Sequence, residues 1–396
     1  MIEQNKHVFN DWEEVIEEGR ARVIIPRREL FLRENGVYEP AWSPVFYNPV
    51  MRVSRDFTTL VTKTAFGEKE YFFIDALAGT GIRGIRLALE TNGYGVVNDV
   101  DPIAYYYMTR NILFNNVDDK VKPVMQEANT LMNNYTFSGI LVDYIDIDPY
   151  GSPIPFIDSA VKPLSKNGLL GVTATDTAPL VCSHSRKTLR RYNIICSKVD
   201  FEKELGIRIL IYNIVFRASS QDVALIPLLS YAHKHYFRVF FRTIRSANES
   251  YRVLKECRGY IWYCLSTLER GFTKDPNDVP QCLDGNKPIV MGPLWICKLG
   301  EQEFIEKLYK EAKKLDYIDQ ETLKITEHLV VECAYENPYF RYDKLFGRLK
   351  KNMPPIKEFI EFLRKHGISA CRTHFDPRGI RIDKPISEAI KLIQTL

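Results

Sequence analysis

The chain of 396 residues is 45% hydrophobic and 26% charged, a composition that excludes a largely disordered or fibrous protein and provides for roughly two domains of ~100–200 residues each. Its 54 Lys and Arg against 50 Asp and Glu leave a net charge of +4, too slight to mark a nucleic-acid binder, so the clustering of charge must decide that point. No apolar run reaches the ~18 residues that cross a bilayer, and the acidic start MIEQNKHVFNDWEEVIEEGR lacks a basic flank followed by an apolar stretch, which predicts a cytoplasmic protein with no membrane association.

Residues 1–68 read as a mixed lead-in: acid in the first twenty residues, a strand-like ARVIIP, then a polar stretch ending at SPVFYNPVMRVSRDF, whose prolines interrupt regular structure. From Tyr71 short β-rich runs alternate with helical patterns, YFFID, GIRLALE, YGVVN and PIAYYYMTRNILF, which is the texture of parallel βαβ units. Asp101-Pro102 has the chemistry of a helix start, a carboxylate to accept an end N–H and a proline whose missing donor costs nothing there. Ser152-Pro153 repeats the device. Further strands at VKPVM, GILVDYIDI and GLLGVTAT bring the count to five by Thr175 and predict an α/β fold with a doubly wound, Rossmann-like sheet.

After about residue 235 the pattern loosens into strand-like HYFRVFFRTI and GYIWYCL, with turn signals at DPND and LDGN. This predicts a first domain over residues 1–234 and a second, α+β domain over residues 235–396. There Phe304, Ile305, Leu308, Ala312 and Leu315 have helical spacing, as do Ile356, Phe359, Ile360 and Leu363 behind Pro354-Pro355, and SACRTHFDPRGIRID reads as a hairpin. A helix followed by a basic hairpin is winged-helix-like, with a small accessory α+β domain as the plainer alternative. Eight scattered cysteines without a secretion signal predict buried thiols in place of a disulfide scaffold.

The strongest local signal is Asp75-Ala-Leu-Ala-Gly79-Thr-Gly81-Ile-Arg-Gly84, between an apolar strand and an amphipathic helix. Glycines let backbone approach a ligand closely, and a helix N-terminus presents unpaired N–H groups. Asp99, 20 residues after Gly79, is placed to accept bonds from ribose hydroxyls. The same pattern admits a nicotinamide dehydrogenase. Two features favour S-adenosylmethionine. Asp75, immediately before the loop, repels a pyrophosphate and positions a cationic amino-acid moiety. Asp148-Pro149-Tyr150-Gly151 ends the fourth strand, on the sheet edge where doubly wound folds bind substrates. Glu127-Ala128, after the third strand, completes an adenosine pocket.

An exocyclic base amine is a weak nucleophile because its lone pair is delocalised into the ring, so a catalyst must orient it and take its proton. Asp148 suits that role, and Tyr150 offers a ring on which a base can stack. Asp146 is the rival carboxylate, but period-two alternation puts it on the same side and deeper in the strand.

Taken together, VFYNPVMRVSRD, DALAGTGIRGIR, NDVDP, DIDPYGSP, GVTATDTAPL and THFDPRGI resemble the tRNA (guanine-26) N2-dimethyltransferases of the archaeal and eukaryotic type, from about residue 44 to the end of the chain. The resemblance implies S-adenosylmethionine contacts from Arg55, Arg83, Asp99, Glu127 and Ala128, with Phe46 and Asp75 bordering that site beside Gly79 and Gly81. It further implies that Asp148 and Tyr150 handle the guanine, that N2 receives one methyl and then a second, and that the carboxyl-terminal domain grips tRNA. Related amine methyltransferases carry an NPPY-type loop where this chain has Asp148-Pro149-Tyr150, and many family members have phenylalanine at the aromatic place. Some relatives carry paired CxxC zinc ligands in the second domain, whereas Cys257, Cys264, Cys282 and Cys297 here are spaced without any CxxC, which argues against a metal.

Arg186, Lys187, Arg190 and Arg191 form a cluster without an intervening acid just after TDTAPL, and Arg341, Lys344, Arg348, Lys350 and Lys351 form a later basic stretch. The first is expected to meet RNA phosphates. No obligatory protein partner is evident. Competing readings are a pyrimidine C5 methyltransferase using Cys182 as nucleophile, the nicotinamide dehydrogenase, and a non-catalytic RNA-binding protein.

Overall fold

In the computed structural model residues 10–394 are described, so the opening of the acidic lead-in lies outside the described residues. The chain divides into two units, one comprising Met1–Asp148, Asp158–Val172 and Lys310–Leu323, the other Pro149–Ile157, Thr173–Tyr309 and Lys324–Leu396.

The first unit opens with an antiparallel hairpin, β1 (Glu13–Glu18) and β2 (Ala21–Pro26). After α1 (Arg52–Phe66) come β3 (Tyr71–Asp75), α2 (Ile82–Glu90), β4 (Gly93–Asn98), α3 (Pro102–Phe114), β5 (Val121–Val124), α4 (Ala128–Phe137), β6 (Val142–Ile147), α5 (Ile154–Val161) and β7 (Leu164–Ala174). The five parallel strands predicted from the alternation are present, in the order β5-β4-β3-β6-β7. Phe73, Ile74, Tyr144, Ile145 and Ile147 are sealed from solvent, as expected where helices cover both faces of a parallel sheet. The chain winds outward from β3 through β4 to β5, then returns to continue at β6. Strand order therefore reverses between β3 and β6, and such a switch point opens a crevice at the carboxyl ends of those two strands. The predicted start of α3 is realised: Asp101 Oδ1 accepts the Ile103 N–H at 2.8 Å ahead of Pro102. Among the described residues no helix is long and apolar enough to cross a membrane.

The second unit carries α6 (Thr177–Leu180), α7 (Ser185–Tyr192), α8 (Glu202–Ser219), an antiparallel hairpin of β8 (Val223–His233) and β9 (Tyr236–Arg245), and α9 (Ala247–Cys257). A three-stranded sheet follows, of β10 (Arg258–Tyr263), β11 (Arg270–Thr273) and β12 (Ile289–Trp295). After α10 (Gln302–Ala312) and α11 (Gln320–Glu332) come β13 (Phe340–Arg341), α12 (Tyr342–Leu349), α13 (Ile356–Lys365), the predicted hairpin β14 (Ala370–Arg372) and β15 (Gly379–Ile382), and α14 (Ile386–Gln394). The boundary expected at residues 234–235 falls in the turn between β8 and β9.

The THFDPRGI motif is a buried lock. Thr373 Oγ1 and His374 both bond the Glu332 carboxylate, Arg381 reaches Glu332 and Glu204, each at 3.0 Å, and Arg208 closes on Glu204 at 2.7 Å.

The cysteine expectation is corrected. Cys182–Cys196, Cys257–Cys297 and Cys264–Cys282 are disulfides, with Cα atoms 6.0, 5.1 and 5.8 Å apart, and only Cys333 and Cys371 are free. The pairings join residues 14, 40 and 18 positions apart. Spacing along the chain does not reveal such partners, because folding brings them together.

A buried ionic network ties the hairpin to α1 and α2. Glu18 takes both ends of the Arg55 guanidinium at 2.6 Å and Arg86 at 3.0 Å, while Arg86 also reaches Asp56 at 2.7 Å and Glu90 at 2.9 Å. Burial pushes the Glu18 carboxyl up, but Arg55 and Arg86 outweigh it and bring the value down to about 2. A folded value below the unfolded one stabilises fully above about 4.5 and is lost as the pH falls toward about 2. Glu18→Gln is therefore expected to lower the unfolding free energy near neutral pH by about 3 kcal/mol, because two buried guanidinium groups lose a partner. It should also flatten the acid-side decline between pH 4.5 and 2; urea unfolding across that pH range reads both effects.

Candidate active site

The carboxyl ends of β3 and β6 place three acids in one spot. Asp75 and Asp146 are register partners, and Asp148 follows one residue beyond the end of β6. Arg83, from the first turn of α2, lies among them and is itself only 6% exposed. Its Nη2 bonds Asp148 Oδ2, its Nη1 donates to Thr58 Oγ1 at 2.7 Å, and its Nε lies 3.5 Å from Asp146 and 4.0 Å from Asp75. Thr58 in turn donates its hydroxyl to the Ser54 carbonyl one turn back along α1, at 3.0 Å. That leaves its oxygen to receive Arg83, so α1 fixes the guanidinium. Asp146 is fully buried and bonded by Tyr144, whereas the Asp148 side chain keeps 13% exposure. The alternation argument thus ranked the two acids correctly by depth.

The glycine turn is built as its residue types require. Gly79 and Gly81 have φ of +54° and +78°, backbone that a side chain disfavours. A Cβ on Gly79 would stand 2.9 Å from the Phe46 carbonyl oxygen, which puts the Phe46 backbone against the turn. The Gly79 N–H points at Asp99 Oδ2, 3.0 Å away, and the Asp101 N–H takes Oδ1 at 3.1 Å. Asp99 consequently fastens the turn to the end of β4 while each of its oxygens keeps a lone pair. Glu127 is the N-cap of α4, receiving the N–H groups of Asn129 at 3.0 Å and Thr130 at 2.8 Å. Burial pushes its carboxyl up, and these bonds more than offset that, so the net shift is downward. Ala128 beside it is buried.

Two residues expected to touch a cofactor are already held by carboxylates. Arg55 is held by Glu18 and lies 5.3 Å over the Tyr47 ring, and Arg83 serves the three carboxylates. Glu18 lies 37 positions from Arg55 and Thr58 lies 25 from Arg83, so neither was visible from the motifs.

In the second unit Tyr150 stands 69% exposed. The loop behind it is stitched to the end of β7: Gly151 N–H donates to Thr175 Oγ1 at 2.6 Å and the Thr175 N–H returns to Gly151 O at 3.0 Å. Ser152 Oγ meets Tyr192 Oη at 3.0 Å, and Tyr192 donates to Asp176 at 2.8 Å. Arg186 and Arg190 are exposed on α7 and Lys187 is half-exposed, and none of the three has an ion-pair partner among the described residues. Arg191 is paired with Asp176 at 2.8 Å. Cys182, weighed as a nucleophile, is joined to Cys196 and offers no thiolate.

A family profile described as N2,N2-dimethylguanosine tRNA methyltransferase matches residues 19–394. The tRNA (guanine(26)-N(2))-dimethyltransferase of Sulfurisphaera tokodaii is 35% identical over 385 residues, which covers 96% of this chain and 98% of that protein. The tRNA (guanine(26)-N(2)/guanine(27)-N(2))-dimethyltransferase of Aquifex aeolicus is 33% identical over 394 residues, 97% of this chain and 96% of its own. Among solved structures, Trm1 from Pyrococcus horikoshii in complex with S-adenosyl-L-methionine superposes with a TM-score of 0.83 at 31% identity, covering 96% of this chain and 99% of that one.

Replacing Arg83 by methionine removes the guanidinium that Asp75, Asp146 and Asp148 share. Arg83→Met is expected to cost about 3–5 kcal/mol of stability, the usual penalty for removing one partner from a buried ionic group. The check is a urea midpoint that falls with an unchanged slope.

Proposed function

The chain belongs to the N2,N2-dimethylguanosine tRNA methyltransferase family, and on that premise we infer that it is an S-adenosylmethionine-dependent tRNA (guanine-26-N2) dimethyltransferase. Its relatives over nearly the full length carry that activity in their names. The observation that carries the reading into chemistry is Asp148, at the mouth of the switch-point crevice and anchored through one oxygen by Arg83.

The residues around the glycine turn fit the donor. The bare backbone of Gly79 and Gly81 accepts close approach, Asp99 keeps lone pairs for ribose hydroxyls, and Glu127 with Ala128 flanks the adenosine. Asp75 and Phe46 border the same site. Arg55 and Arg83 act through their carboxylate partners, Arg55 by fixing α1 against the hairpin and Arg83 by holding Asp148. S-adenosylmethionine supplies a methyl group on a sulfonium, open to in-line displacement. With Oδ2 held by Arg83, Oδ1 of Asp148 is the oxygen left to receive an N–H of the guanine amine. It orients the nitrogen lone pair and stabilises the positive charge that grows there. As the N–C bond forms and the C–S bond breaks, the amine proton passes to the carboxylate. A second turnover on the same nitrogen follows the same path, since one N–H remains.

Tyr150 supplies a ring for the base to stack upon, which an extruded base requires. Arg186, Lys187 and Arg190 meet RNA phosphates, and Arg191 contributes by orienting Asp176. The carboxyl-terminal part of the chain grips the tRNA, and a cytoplasmic location suits that substrate.

Asp148→Asn is expected to lower kcat by about 10²–10⁴-fold, the usual worth of a positioned base, while the Kd for S-adenosylmethionine changes by about twofold or less. Wild-type turnover in this variant would remove the role. Nucleoside mass spectrometry of unmodified tRNA after incubation with enzyme and donor should show mono- and then dimethylguanosine, with the modified position mapped at 26 and its neighbour 27. Tyr150→Phe should keep activity, whereas Tyr150→Ala should raise the KM for tRNA by about tenfold, in line with ~1–3 kcal/mol for one stacked base.

A further inference from the structure

Several arginines of the second unit are already neutralised. Arg208, Arg270, Arg341, Arg378 and Arg381 each face a carboxylate within 3.0 Å. A different set of cations surrounds a cleft of about 420 Å³ lined by Lys198, Tyr263, Leu265, Lys344 and Arg348. Lys198, Lys344 and Arg348 are exposed, and none of them has an ion-pair partner among the described residues. The one acid in the lining, Asp200, is only 3% exposed and already engaged. It takes Arg270 at 2.8 Å, the Tyr263 hydroxyl at 3.0 Å and the Arg341 N–H at 2.9 Å. The cleft therefore presents three positive charges to solvent over a partly apolar floor, and a low-dielectric wall strengthens such a field.

The arrangement is also unfavourable in the absence of a ligand. Lys344 and Arg348 are four residues apart on α12 and share one face, where like charges destabilise a helix. The acid of that helix, Asp343, is occupied by Arg341 at 2.7 Å and Arg378 at 3.0 Å. An anion between the two cations removes the repulsion. The segment bearing Lys198 leaves the end of α7, whose free cations Arg186, Lys187 and Arg190 belong to the same unit, so the chain links one set of unpaired charges to the next.

We propose that the cleft of Lys198, Lys344 and Arg348 is a second phosphodiester-binding site, which grips the tRNA backbone apart from the base that is methylated. The proposal rests on tRNA being the substrate. Binding measured separately from turnover keeps the two claims apart.

The test compares wild type with the double variant Lys344→Gln/Arg348→Gln and with a control of equal charge loss on exposed lysines elsewhere, Lys307→Gln/Lys391→Gln. Fluorescence anisotropy of labelled unmodified tRNA is recorded over a salt series, with calorimetric titration of S-adenosylmethionine as the check on folding. The cleft variant is expected to weaken tRNA binding about tenfold and to reduce the slope of log Kd against log salt by roughly 1–2, because each lost phosphate contact removes about 0.7–0.9. The donor affinity and the control variant should stay at wild-type values. An unchanged tRNA Kd and salt slope, or an equal loss in the control, overturns the proposal. If the α12 substitutions lower donor affinity through misfolding, Lys198→Glu, in a separate loop, carries the same test with the same expected weakening. Wild-type protein that binds tRNA through the cleft but transfers no methyl group would overturn the activity and leave the site standing.

Discussion

One guanidinium set among three carboxylates organises the candidate active site. Arg83 bonds Asp148 and lies within 4.0 Å of Asp146 and Asp75, so the carboxyl ends of β3 and β6 gather three acids about one guanidinium. Opposite charges ~4 Å apart are worth roughly 4 kcal/mol at an effective dielectric of ~20, and like charges oppose by as much. On the proposed function, acids at this point disfavour a pyrophosphate and favour a cationic donor, which separates the site from the dinucleotide folds that share its glycine spacing. The same guanidinium tethers one oxygen of Asp148 and so restricts its orientation.

The cation must itself be held, and the first unit does this in two stages. Thr58 anchors Arg83 from α1, and α1 is fixed by Arg55, whose partner Glu18 closes the β1–β2 hairpin. Arg86, one turn along α2 from Arg83, returns to Glu18, Asp56 and Glu90. Helices α1 and α2 are thereby pinned through side chains that touch no substrate. Desolvating so many charges is costly, and such a network persists only when nearly every lone pair is answered. Its return is positional: a catalytic carboxylate loses rate when displaced by about an ångström.

What could be read from the residues alone follows from range. The strands, the α3 start at Asp101-Pro102, the glycine turn and the hairpin at Ala370–Ile382 depend on neighbours within a few positions, and each was legible. So was the order of depth of Asp146 and Asp148, because strand alternation is local. The disulfides, the engagement of Arg55 by Glu18 and the role of Thr58 were not, because each needs a partner that only the folded chain brings near. The looser pattern after residue 235 shows the same limit: it is a local feature, whereas the pairing of β8 with β9 along their length exists only in the folded chain.

Pairing also separates charges that a sequence presents as equivalent. Arg186, Lys187, Arg190 and Arg191 form a single basic run, yet Arg191 is tied to Asp176, which in turn holds Tyr192 beneath the Gly151–Ser152 loop. Its charge is used in building the loop that presents Tyr150, while its three neighbours stay available. The later basic stretch divides the same way, with Arg341 closed on Asp343 and Lys344 and Arg348 open. A polyanion gains little from a cation that already has a carboxylate, since binding must first break that pair. On the proposed function the open cations, far fewer than the total, set the strength and the salt dependence of RNA binding, which lets a chain with a net charge of only +4 hold a tRNA.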